Sequence, residues 1–179
     1  MDATEMKHWC DRAVELGVDV ATPMAVADVV AAEWVRMKCL YGCDEPGLYR
    51  TCPPNLPPVE TTRRLLAEFE RAILLEVGPI VGEERSDPES DRINQAALAL
   101  ERELFLAGHY KAWKMGAGPC DICAACTSGE PCPTPEKARP SMEGCGLDVF
   151  ATVRNAGRAI DVVRTETDPY RFFALVLVE

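Results

Sequence analysis

The sequence contains little histidine, and it has no apolar segment long enough to suit a membrane. Only two histidines occur among 179 residues, and they lie on separate segments, which gives no basis for a serine–histidine–aspartate arrangement. No apolar run approaches the ~18 residues that a membrane-spanning helix needs. The first residues, MDATEMKHWCDRAVELG, lack the apolar stretch of a signal peptide. We therefore expect a cytoplasmic protein with no membrane partner.

Basic charge is scarce as well. The chain has 19 Lys and Arg residues against 29 Asp and Glu residues, which gives a formal net charge of -10. Proteins that bind nucleic acids neutralise phosphates with clustered basic residues, and this chain has no basic run, so we expect no nucleic-acid partner. The segment GPIVGEE lacks the Gly-Lys-Ser/Thr ending of a phosphate-binding loop. The acidic charge fits a soluble protein that docks a basic partner or none, and solubility alone is the simpler explanation.

Cysteine, in contrast, is abundant, with nine residues in the chain. Thiols stay reduced in the cytoplasm, and an odd number cannot all pair, so disulfides are the weaker explanation. Metal binding explains clustered cysteines in such a compartment better. The cysteines fall into two groups, and Cys10 stands apart on a predicted helix, where it is expected to be a core residue or a spare thiol.

The second group lies in the segment GPCDICAACTSGEPCP and has the spacing C-x2-C-x2-C-x5-C. Its members are Cys120, Cys123, Cys126 and Cys132. Two-residue gaps let a tight loop turn three thiolates toward one point, as iron–sulfur clusters require, and the bacterial ferredoxin run is C-x2-C-x2-C-x3-C-P. The first three positions match that run, Pro133 follows the last cysteine, and the last gap is two residues longer. The spacing favours a [4Fe-4S] cluster, with zinc as the alternative.

The first group has the spacing C-x3-C-x8-C and consists of Cys39, Cys43 and Cys52. Free cysteines also pack well as small apolar residues, but these three lie in a loop rich in glycine and proline and not on an apolar stripe. We therefore predict a second metal site here, with three local ligands. The fourth ligand could be Cys145, Cys132 through an exchange between the loops, a group other than cysteine, or nothing.

Apolar periodicity and turn residues predict a single α+β domain over residues 1–179. The predicted helices cover residues 3–16, 61–77, 88–107 with Asp87 as a cap, and the segment DVFATVRNAG. The predicted strands cover residues 34–38 and the segments HYKAWKMG, AIDVV and FFALVLVE. We expect helices on one face of a small, mostly antiparallel sheet, with two cysteine-rich metal-binding loops at residues 39–58 and 118–146 that emerge from strand ends.

Several motifs together resemble one known family. They are VRMKCLYGC, CPPNLPP, GHYKAW, GAGPCDICAAC, PCPTPEKARPSMEGCGLDV and the closing LVLVE. The chain is similar, over residues 35–179, to a domain of unknown function described as predicted metal-binding proteins, which occurs mostly in anaerobic bacteria and archaea. The resemblance implies metal binding through both cysteine groups, and SMEGCG adds Cys145 as a ligand. The stretch DEPGLYRT before Cys52 departs from the family pattern, where a tighter, aromatic-rich loop is expected.

Three functions are compatible with these cysteines. The first is a redox module with two [4Fe-4S] clusters that passes electrons to a partner protein. The second is a non-redox iron–sulfur enzyme with an open iron at the first group, served by a nearby proton donor or anchor. The candidates for that role are Lys38, Lys111, Lys114, Glu143 and Asp148. The third is a structural zinc module that mediates assembly, in which the metal replaces a core under the second loop.

Overall fold

Five α-helices and four β-strands make up the described part of the chain in a computed structural model. The structure describes residues 1–81, 87–120, 122–123, 126 and 131–179. The helices are α1 (Ala3–Glu15), α2 (Glu33–Tyr41), α3 (Val59–Leu66), α4 (Asp87–Leu106) and α5 (Val149–Asn155). The strands are β1 (Val20–Ala25), β2 (Arg71–Ile80), β3 (Trp113–Met115) and β4 (Tyr170–Leu177). None of the helices in these ranges is long and apolar enough to cross a bilayer.

The four strands form one sheet in the order β1-β2-β4-β3, and every neighbouring pair is antiparallel. The central pair aligns Leu74 with Leu175. Strand β1 lies at one edge, where Pro23 is opposite Ile73. Proline is tolerated in an edge strand because its missing N–H removes no hydrogen bond from the interior of the sheet. One antiparallel sheet packed with helices confirms the predicted α+β class.

Helices cover both faces of this sheet, so the prediction that they cover one face is wrong. On the first face, α1 and α4 pack against the side chains of Ile73 and Val176. On the second face, α3, α5 and a turn at residues 141–147 pack against Leu74 and Leu175. Because both faces are buried, β2 and β4 are apolar almost throughout and do not alternate as half-exposed strands do.

Three helices follow the prediction. Helix α1 places Met6, Trp9 and Cys10 in the core, which confirms the core position of Cys10, and Asp2 caps it by accepting a 2.8 Å hydrogen bond from the N–H of Glu5. Helix α5 is confirmed within DVFATVRNAG. Helix α4 begins at Asp87, one residue before the predicted start. The predicted cap by the side chain of Asp87 lies outside the described part of the structure.

Other predicted elements are wrong. Residues 34–38, predicted as a strand, belong to helix α2. The helix predicted at 61–77 ends in α3 at Leu66, and strand β2 follows from Arg71. The segment AIDVV has no strand, and HYKAWKMG forms only the three residues of β3. Strand β1 was not predicted, because VATPMA contains a proline and little alternation.

A buried ion cluster crosses the second face of the sheet. Glu76 of β2 is buried and lies between two arginines. The Nε atom of Arg158 donates to Glu76 Oε2 at 2.8 Å, and the Nε atom of Arg171 lies 3.0 Å from Oε1. A buried carboxylate needs such partners, since burying an unpaired charge is strongly unfavourable. These contacts link the irregular segment after α5 to the centre of the sheet.

Candidate metal centre

The first cysteine group begins on a helix and continues into a loop. Cys39 lies in the last turn of α2, where its Sγ atom is 3.8 Å from the carbonyl oxygen of Glu143. Cys43 is exposed just beyond the end of the helix, and the N–H of Glu45 points at its Sγ atom at 3.4 Å. Hydrogen bonds from backbone N–H groups to sulfur are the interactions that orient and tune metal-bound thiolates.

Cys52 sits in a tightly turned part of the same loop. Its N–H donates to the carbonyl oxygen of Tyr49 at 3.0 Å, and its own carbonyl accepts from the N–H of Asn55 at 2.9 Å. The side-chain amide of Asn55 also donates to the Tyr49 carbonyl at 2.9 Å. The peptide bond between Pro53 and Pro54 is cis. These contacts hold the Cys52 thiol in a defined, half-buried place.

The two cysteine groups meet at Cys52. Burial, and after it the charges of neighbouring thiols, raise the pKa of Cys52 to about 11. The neighbouring thiols, in decreasing order of effect, are Cys39, Cys43, Cys126 and Cys120. Two of these belong to its own group and two belong to the second group. The structure therefore brings thiols from both loops into one region, which the sequence spacing did not reveal.

The second group is described in part. Cys120, Cys123, Cys126 and Cys132 are all half-buried. The Cys123 Sγ atom lies 3.4 Å from the hydroxyl oxygen of Thr134. Within the loop predicted at 118–146, residues 121, 124–125 and 127–130 lie outside the described part of the structure. The four cysteines themselves are thus partly shielded from solvent within one loop.

Cys145 has different surroundings from the other predicted ligands. It lies in the turn at residues 141–147 and packs against the core of the second sheet face. Burial raises the pKa of its thiol to about 12; the Arg36 guanidinium opposes this shift, and the Glu143 carboxylate adds to it. Cys145 is not one of the described groups that shift the pKa of Cys52.

Two buried polar atoms beside the first group lack hydrogen-bond partners among the described residues. They are Oε2 of Glu143 and Oγ1 of Thr51. Burial raises the pKa of the Glu143 carboxyl, although the hydroxyl of Ser141 and the N–H of Glu143 favour its charged form. Thr51 directly precedes Cys52, and the Glu143 backbone contacts Cys39. Because buried polar groups are nearly always satisfied, these two atoms indicate space for a further group at this centre.

The remaining candidates for a chemical role have contacts that explain their positions. Lys38 lies over the ring of Trp34, 5.0 Å from its centroid, and Lys111 donates to the carbonyl of Glu68 at 3.0 Å. Asp148 caps α5 by accepting from the N–H of Ala151 at 3.0 Å. Lys114 is buried against α4, beside the second loop. Glu143 alone of the five contacts a cysteine of the first group among the described contacts.

Arg36 ties the first group to the rest of the fold. From helix α2 it donates to the carbonyl oxygens of Leu56 at 2.6 Å and Pro57 at 2.5 Å, and it lies 3.5 Å from the Gly144 carbonyl. It therefore joins the end of the loop predicted at 39–58 to α2 and to the turn that carries Cys145. No sequence signal marks Arg36, because its partners are backbone carbonyls of distant segments.

We expect the Arg36→Ala variant to lose about 2 kcal/mol of unfolding free energy, because hydrogen bonds to a charged donor contribute about 1.5–3 kcal/mol. Urea unfolding of the metal-loaded protein measures this, and metal content after dialysis shows whether the first group is loosened. Arg64→Ala is the matched control, since Arg64 is exposed on α3 and its one described hydrogen bond, to Thr61, lies within the same helix. Equal effects of both substitutions would contradict the anchoring role of Arg36.

The second loop is anchored by a buried ion pair. Arg139 donates to the carboxylate of Glu101 on α4, with its Nη2 atom at 2.6 Å from Oε1. The other carboxylate oxygen accepts from the backbone N–H of Lys114 at 2.7 Å. The Arg139 guanidinium also stacks on Trp113, 4.7 Å from the ring centroid. These contacts fasten the chain after Cys132 to α4 and β3.

An α+β fold that gathers half-buried thiols from two loops defines a metal-binding protein, because thiolates are the soft ligands that zinc and iron–sulfur clusters select. Among the described residues, no three histidine, cysteine or acidic side chains are placed to hold one metal ion. The model of a family described as "Predicted metal-binding protein (DUF2284)" matches residues 22–178, and the chain belongs to this family. No curated protein and no solved structure matches it significantly. The resemblance stated from the motifs is confirmed, and occurrence mostly in anaerobes stays a prediction.

Proposed function

We propose that this protein binds two [4Fe-4S] clusters and acts as a redox module that passes electrons to a partner protein. The observation that carries the proposal is the C-x2-C-x2-C spacing of the second group, together with a first group whose thiols lie within electrostatic range of it. The C-x2-C-x2-C run of Cys120, Cys123 and Cys126 supplies three ligands of one cluster. Cys39, Cys43 and Cys52 supply three ligands of the other.

The spacing of the cysteines along the sequence supports clusters over zinc. Cys120, Cys123 and Cys126 are separated by two-residue gaps and match the first three positions of the bacterial ferredoxin run. Zinc sites usually pair C-x2-C units separated by a longer spacer, often with histidine among the ligands. Both histidines, His8 and His109, lie outside the two cysteine loops.

The surroundings of the first group support electron exchange with a partner. A bound cluster supplies one-electron redox chemistry, and exposure of its edge lets a partner approach. Cys43 is exposed, and α2 next to it exposes Trp34, Met37 and Tyr41. The chain carries a net charge of -10, which steers a basic redox partner toward it. The N–H of Glu45 toward Cys43 is one group that would set the cluster potential.

Metal analysis of protein purified without oxygen tests the proposal. We expect about eight irons and eight sulfides per chain, a brown colour and a paramagnetic signal on reduction, as two four-iron clusters give. One or two zinc ions in colourless protein would overturn it and support a structural module. Clusters that cannot be reversibly reduced would overturn the electron-transfer role and leave cluster binding in place.

Glu143 favours a second candidate, a non-redox enzyme with an open iron at Cys39, Cys43 and Cys52. The buried carboxyl has an oxygen without a hydrogen-bond partner among the described residues, and its backbone contacts Cys39. An open iron acts as a Lewis acid, and Glu143 is placed to exchange a proton with a substrate beside it. The same preparation tests this function, since added citrate should shift the paramagnetic signal of one cluster if its iron is open. An unchanged signal would rule against it.

A further inference from the structure

A cleft of about 1070 Å³ lies between helix α4, strand β3 and the start of the second cysteine loop. Small-molecule sites are typically clefts of about 300–1,000 Å³ with mainly apolar walls and a few polar groups. This cleft is large enough for a ligand of that kind. At one end it is lined by Pro119, Cys120 and Ile122.

The walls of the cleft are apolar and aromatic. Helix α4 contributes Leu98 and Phe105, which lie two turns apart on one side of the helix. Tyr110, in the connection to β3, completes the mouth. Phe105 and Tyr110 are both exposed, so their rings are available to a ligand. Such rings suit a flat apolar body, since aromatic pairs add stabilisation beyond simple burial.

The floor of the cleft is polar and carries positive charge. Lys114 is buried, and its Nζ atom lies 3.3 Å from Oδ1 of Asn94. Gly116 makes this arrangement possible, because a Cβ atom there would clash with Asn94 Oδ1 and lie 2.9 Å from Lys114 Nζ. Arg139 stacks on Trp113 beside Lys114. The carboxylate of Glu101 accepts hydrogen bonds from the backbone N–H of Lys114 and from the side chain of Arg139.

The charge of the lining differs from that of the whole protein. The described lining carries four basic side chains, Arg102, Lys114, Lys137 and Arg139, against three acidic ones, Asp91, Glu101 and Glu136. The chain as a whole carries a net charge of -10. The described lining therefore carries one more positive than negative charge, which favours an anion over a cation there.

We propose that this cleft binds a small organic anion with a flat apolar body and a single carboxylate. The aromatic walls hold the body, and the carboxylate faces Lys114, because the Arg139 guanidinium already pairs with Glu101. The inference goes beyond the proposed redox function, because α4 and β3 form the cleft whichever metal the thiols hold. Since Cys120 lines one end, the bound anion lies beside the second cysteine group.

Equilibrium dialysis of the metal-loaded protein against 2-naphthoate tests the proposal, with the uncharged 2-naphthamide as the comparison ligand. We expect one site per chain and about tenfold or greater preference for the carboxylate, which corresponds to about 1.4 kcal/mol. The free ligand is measured in the protein-free chamber. Equal binding of the two compounds would overturn the anion assignment, and no saturable binding at millimolar concentration would overturn the site.

A matched pair of variants on α4 locates the binding. Phe105 and Leu106 are adjacent and exposed, at 56% and 72%, and only Phe105 is among the described lining residues. Phe105→Ala should weaken 2-naphthoate binding about fivefold or more, and Leu106→Ala should leave it within about twofold, because only the former removes an aromatic wall. Equal effects would place the ligand elsewhere. Lys114→Met should abolish the preference for the carboxylate over the amide. If the Lys114→Met variant does not fold, the comparison of Phe105→Ala with Leu106→Ala decides the test.

Discussion

A Cys52→Ala variant purified without oxygen is expected to lose about four of eight irons per chain, because in the proposed two-cluster protein alanine cannot replace the Cys52 thiolate as an iron ligand. Cys52 is the position where the two groups meet, with Cys39 and Cys43 on one side and thiols of the second loop on the other. Iron and sulfide per folded chain are the measurement, with far-ultraviolet circular dichroism to confirm folding. Loss of all iron would show that both clusters depend on the Cys52 thiol. That outcome would also support a ligand role for Cys52.

Two further alanine variants serve as comparisons for Cys52. Cys10 is buried in the core between α1 and α4, so Cys10→Ala should keep the full iron content. Cys145 packs against the core of the second sheet face, so Cys145→Ala should keep it as well. A Cys52→Ala variant with undiminished iron would contradict the proposed ligand role. Loss of about four irons from Cys145→Ala would instead identify Cys145 as the fourth ligand of the first cluster.

The two groups of cysteines proposed as ligands can be recognised from the sequence, but the way in which the two loops lie together cannot. Short gaps such as those between Cys120, Cys123 and Cys126 constrain a loop directly, and so they predict a shared site. The meeting of Cys52 with Cys120 and Cys126 depends on how two distant loops pack on the fold. Arg36 and Glu101 went unnoticed for the same reason, because their partners come from segments far away in the chain.

The errors in the fold prediction have one main physical source, the burial of the sheet on both faces. Strand β2 is covered by α1 and α4 on one side and by α3 and α5 on the other, so its sequence is apolar without alternation from Ala72 to Leu75. Such a run is not distinguishable by periodicity from a buried helix, and it was joined to α3 in the prediction of a helix at 61–77. Strand β4 escaped this error because a turn isolates it.

Helix α2 was mistaken for a strand for the opposite reason, because it buries very little. Val35 is the buried side chain of this helix, while Trp34 and Met37 are exposed, which leaves a short alternation that resembles a strand. The backbone contacts of Arg36 hold the helix in place instead of an apolar stripe. Helix α2 is thus held by backbone carbonyls at the end of the cysteine loop that follows it.

Replacing Glu76 with glutamine is expected to lower the unfolding free energy by about 2–3 kcal/mol. Breaking a buried ion pair by removing one partner costs about 3–5 kcal/mol when the remaining charge stays buried. Here Arg158 and Arg171 keep 34% and 22% of their side-chain surface exposed. Water can therefore solvate their unpaired charges in part, so the loss of unfolding free energy is smaller than for a fully buried pair. Urea unfolding of the metal-loaded protein at neutral pH measures the change. Iron content should be unchanged, because Glu76 has no described contact with a cysteine.

Asp11→Asn is the matched control for Glu76→Gln, since it removes one carboxylate charge from an ion pair that lies in solvent. Lys7 and Asp11 pair on α1 with 73% and 62% of their side-chain surfaces exposed. Water screens such a pair, so its loss should change the unfolding free energy by less than about 0.5 kcal/mol. If both variants were equally stable, the contacts of Glu76 would contribute no more than a surface pair. The segment after α5 would then be held against the sheet by its apolar contacts alone.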